Sequence, residues 1–398
     1  MVQISDKVNF LVGSAETIEQ MIMAPALKPF DDMVMDFLND VSRVLMKDTR
    51  SKAYSDVVTL GFWLRKGSTV KLKKRHEKVD NNIHLGRGVA FHIAPSNVPV
   101  NFAYSLAIGL LTGNGNIVRV TSKEFEQIDI IADVINKVLA EKPTMKPYIS
   151  LVRYERDRGI NDTFSSMADI RIIWGGDETI DEIRKSPLPP RSTEITFADR
   201  YSLALIDSDE YMEMEDKDLV ASSFYNDTYF TDQNACTSPR IVIWMGSRVD
   251  EAKRIFWERL YAIVKIKYTL EPIQAVNKLA SSYLSSVKEA GIKLVKSKDN
   301  LVVRLEVSKI TGSLMDSKYN SGYFFEYDCR DIIELKPICN DRRCQTIGII
   351  GDKEILRSLL KSGIRGVDRV VPIGKTMDFD MIWDGYDLMS CMIRTVVI

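Results

Sequence analysis

One cysteine stands in the polar, small-residue stretch Asp232-Gln-Asn-Ala-Cys-Thr-Ser-Pro-Arg240, directly ahead of the apolar run Ile241-Val-Ile-Trp-Met245. A thiol placed there, Cys236, sits at the lip of a sheet, and a thiolate at such an edge suits a nucleophile that must meet an acyl carbon. The alternative for a lone cysteine is a small, inert apolar residue buried in the core. What weighs against that alternative is the set of segments accompanying it along the chain.

Those segments alternate in a way that builds an edge. Val89-Ala-Phe-His-Ile93 reads as a buried strand, Ala94-Pro-Ser-Asn-Val-Pro99 as a tight turn carrying Asn97, and Val100 to Leu111 as an apolar helix ending at Thr112-Gly113-Asn114-Gly115. Asn116 to Val120 is a second strand, followed by Thr121-Ser122-Lys123-Glu124, whose hydroxyl is expected to open another helix as its N-cap. Ile170 to Trp174 is a third strand, broken by Gly175-Gly176 and followed by a helical run from Asp177. Strand, glycine turn and helix in that order bring backbone N–H groups close to phosphate. Alternation continues to Tyr201–Ile206, which is expected to close the first α/β domain, and a second set begins after the Cys236 loop, with helices near 250–266 and 271–290 and strands near 301–307 and 345–350.

Taken together, Ala94–Pro99, Gly113–Arg119, Trp174–Gly176, Gln233–Pro239, Arg369–Gly374 and Ile382–Tyr386 resemble the aldehyde dehydrogenase superfamily, and within it the LuxC-type acyl-CoA reductases, over most of residues 80–395. The resemblance implies an α/β fold with a Rossmann-type cofactor domain and an α/β catalytic domain carrying the cysteine. The expected layout is a helical lead-in over 1–80, a nucleotide-binding domain over 81–210, a catalytic domain over 211–370 and a segment over 371–398 returning to the cofactor domain. It further implies Cys236 as nucleophile, the Asn97 amide and the Cys236 backbone N–H as oxyanion donors, and Arg119, Ser122, Lys123, Gly175 and Gly176 around a nicotinamide cofactor. NADPH is expected over NADH on the resemblance alone. The substrate it implies is a long-chain acyl-CoA or an acyl-protein thioester, reduced to the aldehyde, with an acyl-protein synthetase as partner and a homo-oligomeric state.

Two departures bear on chemistry. Hydrolytic relatives carry a glutamate that activates water; the matching stretch here is Glu194-Ile-Thr-Phe197, with Thr196 at about the aligned position and Glu194 two residues away, expected to face the other side. Loss of that base favours reductive acyl transfer over oxidation to the acid. The second departure is the segment that holds the nicotinamide ribose: Ile332 to Pro337 is the nearest match, with Glu334 out of register and an ordinary strand-edge carboxylate as its alternative.

Composition closes off other classes. Fifty-four Lys plus Arg against 55 Asp plus Glu give no field that would gather nucleic acid. The basic run Arg65 to Lys78 reads as a solvated face, with a CoA phosphate as the alternative ligand. Five cysteines at irregular spacing and three histidines offer neither a disulfide framework nor a zinc pattern, so no metal is expected and a reducing cytoplasm is. No signal peptide is read at the N-terminus, and the apolar region 89–118 is interrupted too often to span a membrane. Two rival functions stay open at this level: a cysteine acyltransferase or thioesterase that uses no nucleotide, and a non-catalytic subunit of an acyl-protein ligase.

Overall fold

A computed structural model describes residues 4, 6–289, 291–295, 297 and 299–398. The chain divides into two units, Met1–Ala198 with Phe379–Ile398, and Asp199–Asp378.

The first unit contains β1 (Asn9–Val12), β2 (Ile83–Gly86), β3 (Val89–Ile93), β4 (Gly115–Arg119), β5 (Ile149–Arg153), β6 (Ile170–Trp174) and β7 (Thr193–Phe197). Its helices include α1 (Ala15–Met23), α2 (Asp32–Lys47), α3 (Ser55–Leu64), α4 (Lys66–His76), α5 (Asn101–Leu111), α6 (Glu126–Glu141), α7 (Arg158–Met167) and α8 (Asp177–Arg184). Six of the strands form one sheet in the order β1-β5-β4-β3-β6-β7, parallel except where β1 runs against β5. Every residue of β3 is buried, as a central parallel strand with both faces covered requires. Ala90, Val118, Leu151 and Ile172 point into the core shared with α2, α5 and α6. Their neighbours Phe91, Ile117, Val152 and Ile173 point into the opposite core, with side chains of α1, α7 and α8. The basic run is helix α4, tied to the C-terminal segment by Arg75 and His76, 2.9 and 3.0 Å from Asp380.

The second unit contains β8 (Tyr201–Asp207), β9 (Pro239–Met245), β10 (Ile292–Leu294), β11 (Val303–Val307), β12 (Tyr323–Asp328), β13 (Cys344–Ile350) and β14 (Arg369–Pro372), with α9 (Ser208–Glu213), α10 (Lys217–Asp227), α11 (Val249–Lys267) and α12 (Pro272–Lys288) among its helices. Its sheet runs β10-β11-β12-β9-β8-β13-β14, parallel except for the β10–β11 pair. Leu203, Ile241 and Phe325 lie on one face; Ala204, Val242 and Phe324 lie on the other, with α10 and α11.

Two sequence expectations change here. Tyr201–Ile206 belongs to the second sheet and does not close the first, because β8 pairs with β9 and β13. The division therefore falls after residue 198, where 210 was expected, and the chain returns at 379, where 371 was expected. From there Ile382–Trp383 pairs with Tyr386–Asp387, and Ile393–Val396 pairs with β2. The other change concerns the start of α6: it begins at Glu126 with Phe125 as an N-cap that makes no side-chain bond. The Thr121 hydroxyl instead accepts from the Lys123 backbone N–H at 3.2 Å, closing a local turn.

Candidate active site

The sequence-predicted residues fall in both units: Asn97, Arg119, Ser122, Lys123, Gly175 and Gly176 in the first, Cys236 in the second.

In the first unit the chain leaves β3 towards β4 on one side, then crosses back to β6 on the other. β3 and β6 are therefore parallel neighbours whose connections depart in opposite directions, and the crevice at their carboxyl ends is where open α/β sheets take ligands. Ile93 is opposite Arg119 in β4 and Ile173 in β6, so the Asn97 turn, Arg119 and Gly175–Gly176 leave the same edge. Asn97 is exposed and makes no side-chain hydrogen bond among the described residues, which leaves its amide open to a ligand. Arg119 lies over the Tyr154 ring, 4.5 Å to the centroid, and donates to the Tyr154 carbonyl at 3.3 Å. That contact engages the guanidinium at the strand end without a carboxylate. Ser122 and Lys123 are exposed in the loop beyond β4. A side chain at Gly175 would press on Thr179 at 3.0 Å, whereas one at Gly176 would meet open space. The α8 turn after them opens with Asp177 and Glu178, which satisfy the helix dipole and compete with a phosphate at that terminus. A topological switch point, an unengaged amide and a cation thus leave one edge of this sheet, beside a glycine turn whose open position is Gly176.

A buried polar network holds this edge. His92 in β3 is bonded to the Ser105 hydroxyl at 2.7 Å and the Asn116 amide oxygen at 3.0 Å, and Trp174 donates to the same hydroxyl at 3.0 Å. One helix and three strand ends are thus linked. Gly109 is required where α5 crosses it, since a Cβ would overlap the Asn116 oxygen. Burial draws the His92 imidazole down to about 4, so it is neutral in the folded chain while the unfolded imidazole takes a proton near 6.5. Its stabilisation is whole above pH 6.5 and is lost as pH falls from there to about 4. At about 1.4 kcal/mol per pH unit, wild type should lose about 2 kcal/mol more than His92→Gln between pH 7 and pH 5. Urea unfolding at the two pH values measures the difference; equal losses would mean that His92 does not carry it.

The Cys236 loop in the second unit is built by a different amide. Asp232 and Gln233 both have positive φ, 52° and 58°, a conformation that non-glycine residues adopt only when their surroundings impose it. The fully buried Gln233 side chain imposes it. Its Nε2 donates to the Pro239 and Tyr323 carbonyls at 2.8 and 3.1 Å, and its Oε1 accepts from the Gly322 and Tyr323 N–H groups at 3.0 and 3.1 Å. All the bonding capacity of that amide is used. Gly322, at φ +80°, has no room for a Cβ beside the Tyr229 hydroxyl. Asp232 is anchored by Tyr268 and by Gln274 at 3.0 Å. The Cys236 carbonyl accepts from Ser202 Oγ at 2.8 Å, and Thr237 Oγ contacts Met377 Sδ at 3.0 Å. Removing the Gln233 amide, as in Gln233→Ala, should cost about 3 kcal/mol, because four buried backbone groups lose a partner. Denaturant midpoints of variant and wild type test it, and coincident midpoints would refute it.

Cys236 is partly exposed, as a nucleophile must be, while Cys329, Cys339 and Cys344 are buried. Burial pushes the Cys329 thiol up to about 12 and raises Cys391. Cys344, hydrogen-bonded to Cys339 and buried, is held well above the ordinary thiol range. Four residues after Cys236 stands Arg240, only 5% exposed, donating to the Tyr319 carbonyl at 2.7 Å and to Asn320, which in turn donates to Asn234. Burial draws it down to about 10, so it remains a cation at neutral pH, with Cys236, Asp199 and Asp232 among the charges that act on it.

Glu194 and Thr196, two apart on an extended strand, share a face, contrary to the sequence expectation. What removes Glu194 from acid–base work is its pair of arginines: Arg171 at 2.5 Å and Arg184 at 2.7 Å. Glu334 likewise has a local role, capping Asp331 N at 3.2 Å and accepting from Tyr327. It lines a cavity of about 440 Å³ with Lys309, Lys336 and Asn340 that none of the seven candidates enters. Among the described residues no group of His, Cys, Asp or Glu could hold a metal. No helix among them is long and apolar enough to cross a membrane. Sequence reasoning passed over Gln233, Arg240 and the His92 network; the available signals were polar residues inside or beside runs that otherwise read as buried strand.

The fold is that of the aldehyde dehydrogenases. A Thermus thermophilus 1-pyrroline-5-carboxylate dehydrogenase superposes with a TM-score of 0.66 at 12% identity, over 99% of this chain and 90% of that one. An NAD-dependent benzaldehyde dehydrogenase from Corynebacterium glutamicum gives 0.62 at 14%, over 99% and 95%. Within that fold the chain belongs to the acyl-CoA reductase (LuxC) family, whose profile matches residues 71–395. It is 25% identical over 299 residues to the long-chain acyl-protein thioester reductase of Aliivibrio fischeri, covering 72% of this chain and 58% of that protein. The reductase of the same name from Photorhabdus laumondii is 23% identical over 300 residues, again 72% and 58%. The chain thus spans little more than half the length of these relatives.

Proposed function

We propose that this chain reduces the acyl group of a long-chain acyl thioester, acyl-CoA or acyl-protein, to the aldehyde through a Cys236 thioacyl-enzyme, with NADPH as reductant. The observation that carries the proposal is a partly exposed thiol on a loop held in a left-handed turn by a buried amide, in a member of the LuxC family. The Cys236 thiolate attacks the thioester carbonyl and expels the leaving group as a thiolate, which takes its proton from solvent. The Asn97 amide and the Cys236 backbone N–H receive the oxyanion. Arg119, Ser122, Lys123, Gly175 and Gly176 would hold the cofactor, which when bound would supply hydride to the acyl carbon. Collapse of the resulting thiohemiacetal frees the aldehyde and returns the thiolate.

The commitment of Glu194 to two arginines supports reduction over hydrolysis, since that carboxylate is withheld from water. The deciding experiment supplies a C14 acyl-CoA with NADPH and follows absorbance at the nicotinamide band together with aldehyde. Stoichiometric NADPH loss and aldehyde gain are expected. Release of CoA with no nucleotide consumed would instead make the chain an acyltransferase or thioesterase.

A further inference from the structure

Helix α12 is amphipathic the wrong way round for a helix that serves only its own core. Its buried side is polar: Lys278 and Ser285 are fully buried and Ser282 is 3% exposed. Its outward side carries Ile273, Val276, Leu279, Tyr283, Leu284 and Val287, each between 48% and 85% exposed. The spacing of 273, 276, 283, 284 and 287, with Ala280 between, draws these into one stripe along the helix.

The orientation is built in. Lys278 Nζ donates to the Asn300 carbonyl and, at 2.6 Å, to that of Ser321. The Ser285 hydroxyl pairs with Tyr323 at 3.0 Å and the Ser282 hydroxyl with the Lys278 carbonyl at 2.8 Å. A capping box of Glu271 and Gln274 and Pro272 at the first turn fix the start. Turning the helix to hide its apolar side would set apolar groups against the Asn300 and Ser321 carbonyls and the Tyr323 hydroxyl and take away their partners, so the stripe faces outward in the stable fold.

Charge narrows what covers it. Residues 265–298 hold seven lysines and two glutamates, in a chain whose net charge is −1. Lys265, Ile266 and Lys267 are exposed ahead of α12, and Lys288 and Lys293 are exposed after it. A second copy laid stripe to stripe would set lysine-bearing ends against lysine-bearing ends whichever way it ran. An apolar stripe bracketed by lysines, with a tyrosine on it, matches the interface of an anionic bilayer, where side chains enter the acyl boundary and ammonium groups meet lipid phosphates. We propose that α12 docks this chain onto an anionic lipid surface, lying in its plane. This stands whether or not Cys236 is the nucleophile.

The test is flotation of the full chain with vesicles of phosphatidylglycerol and phosphatidylcholine, or of phosphatidylcholine alone, alongside sedimentation velocity without lipid. Wild type should float with the anionic vesicles about tenfold more than with the neutral ones and lose that preference in 0.5 M salt. Leu284→Glu with Val287→Glu should lower binding by about tenfold or more, with the thermal transition and any thioester turnover unchanged. Failure of wild type to float with anionic vesicles would overturn the proposal. So would flotation unaffected by the double substitution. Self-association that the substitution abolishes, without vesicle binding, would assign the stripe to a second copy and likewise reject the lipid surface.

Discussion

Cys236→Ala is expected to lower acyl-thioester-driven NADPH oxidation by at least about 10³-fold, because a nucleophile's loss removes the covalent route outright. The thermal transition should stay close to wild type. The Cys236 side chain is partly exposed, and the loop is held by the Gln233 amide and by the backbone carbonyl of Cys236, neither of which the substitution touches. Acyl transfer to protein from radiolabelled acyl-CoA gives a second readout. Wild type should carry one hydroxylamine-labile acyl group and the variant none, while Cys329, Cys344 and Cys391, each pushed towards the thiol, remain unlabelled. A variant that keeps turnover or label would remove Cys236 from the chemistry.

Asn97→Ala is expected to reduce kcat by about 10²- to 10³-fold, roughly 3–4 kcal/mol of barrier, which is the usual cost of one oxyanion donor. Stability should be nearly unaffected, since the side chain is exposed and makes no hydrogen bond among the described residues. That combination separates an oxyanion donor from a turn residue: a structural asparagine would lower the melting temperature and leave kcat alone. The loss should appear in the rate of acylation in a single turnover as well as in steady state, because the oxyanion forms when the thioester is attacked. Activity within a factor of two of wild type would show that Asn97 has no such role.

Much of this molecule is readable from residue order. β9 is legible from an unbroken apolar run, β3 from one that only His92 interrupts, α5 and α8 from the turns before them, and the second-unit helices α11 and α12 near the positions expected. Sequence failed where partners are distant. Tyr201–Ile206 reads as one more strand of an alternating series, and only pairing with β9 and β13 assigns it to the other sheet. An N-cap hydroxyl within Thr121–Glu124 is a fair reading of local chemistry, yet the helix starts later, at Glu126, and the Thr121 hydroxyl closes a turn on the Lys123 N–H. Glu194 looked displaced by register, but its arginines, 23 and 10 residues away along the chain, are what occupy it.

By itself, then, the sequence determined the class of fold, the thiol and the amide-bearing turn, because strand and helix periods and turn chemistry are short-range properties of neighbouring residues. Tertiary structure alone decided which polar groups are spent and which remain available. Gln233 is consumed in holding a loop, Glu194 in neutralising arginines and His92 in joining three strand ends, while Asn97 keeps its amide and α12 keeps its apolar side outward. The reason is that burial and hydrogen-bond satisfaction are settled by groups far apart in the chain, and no local pattern records them.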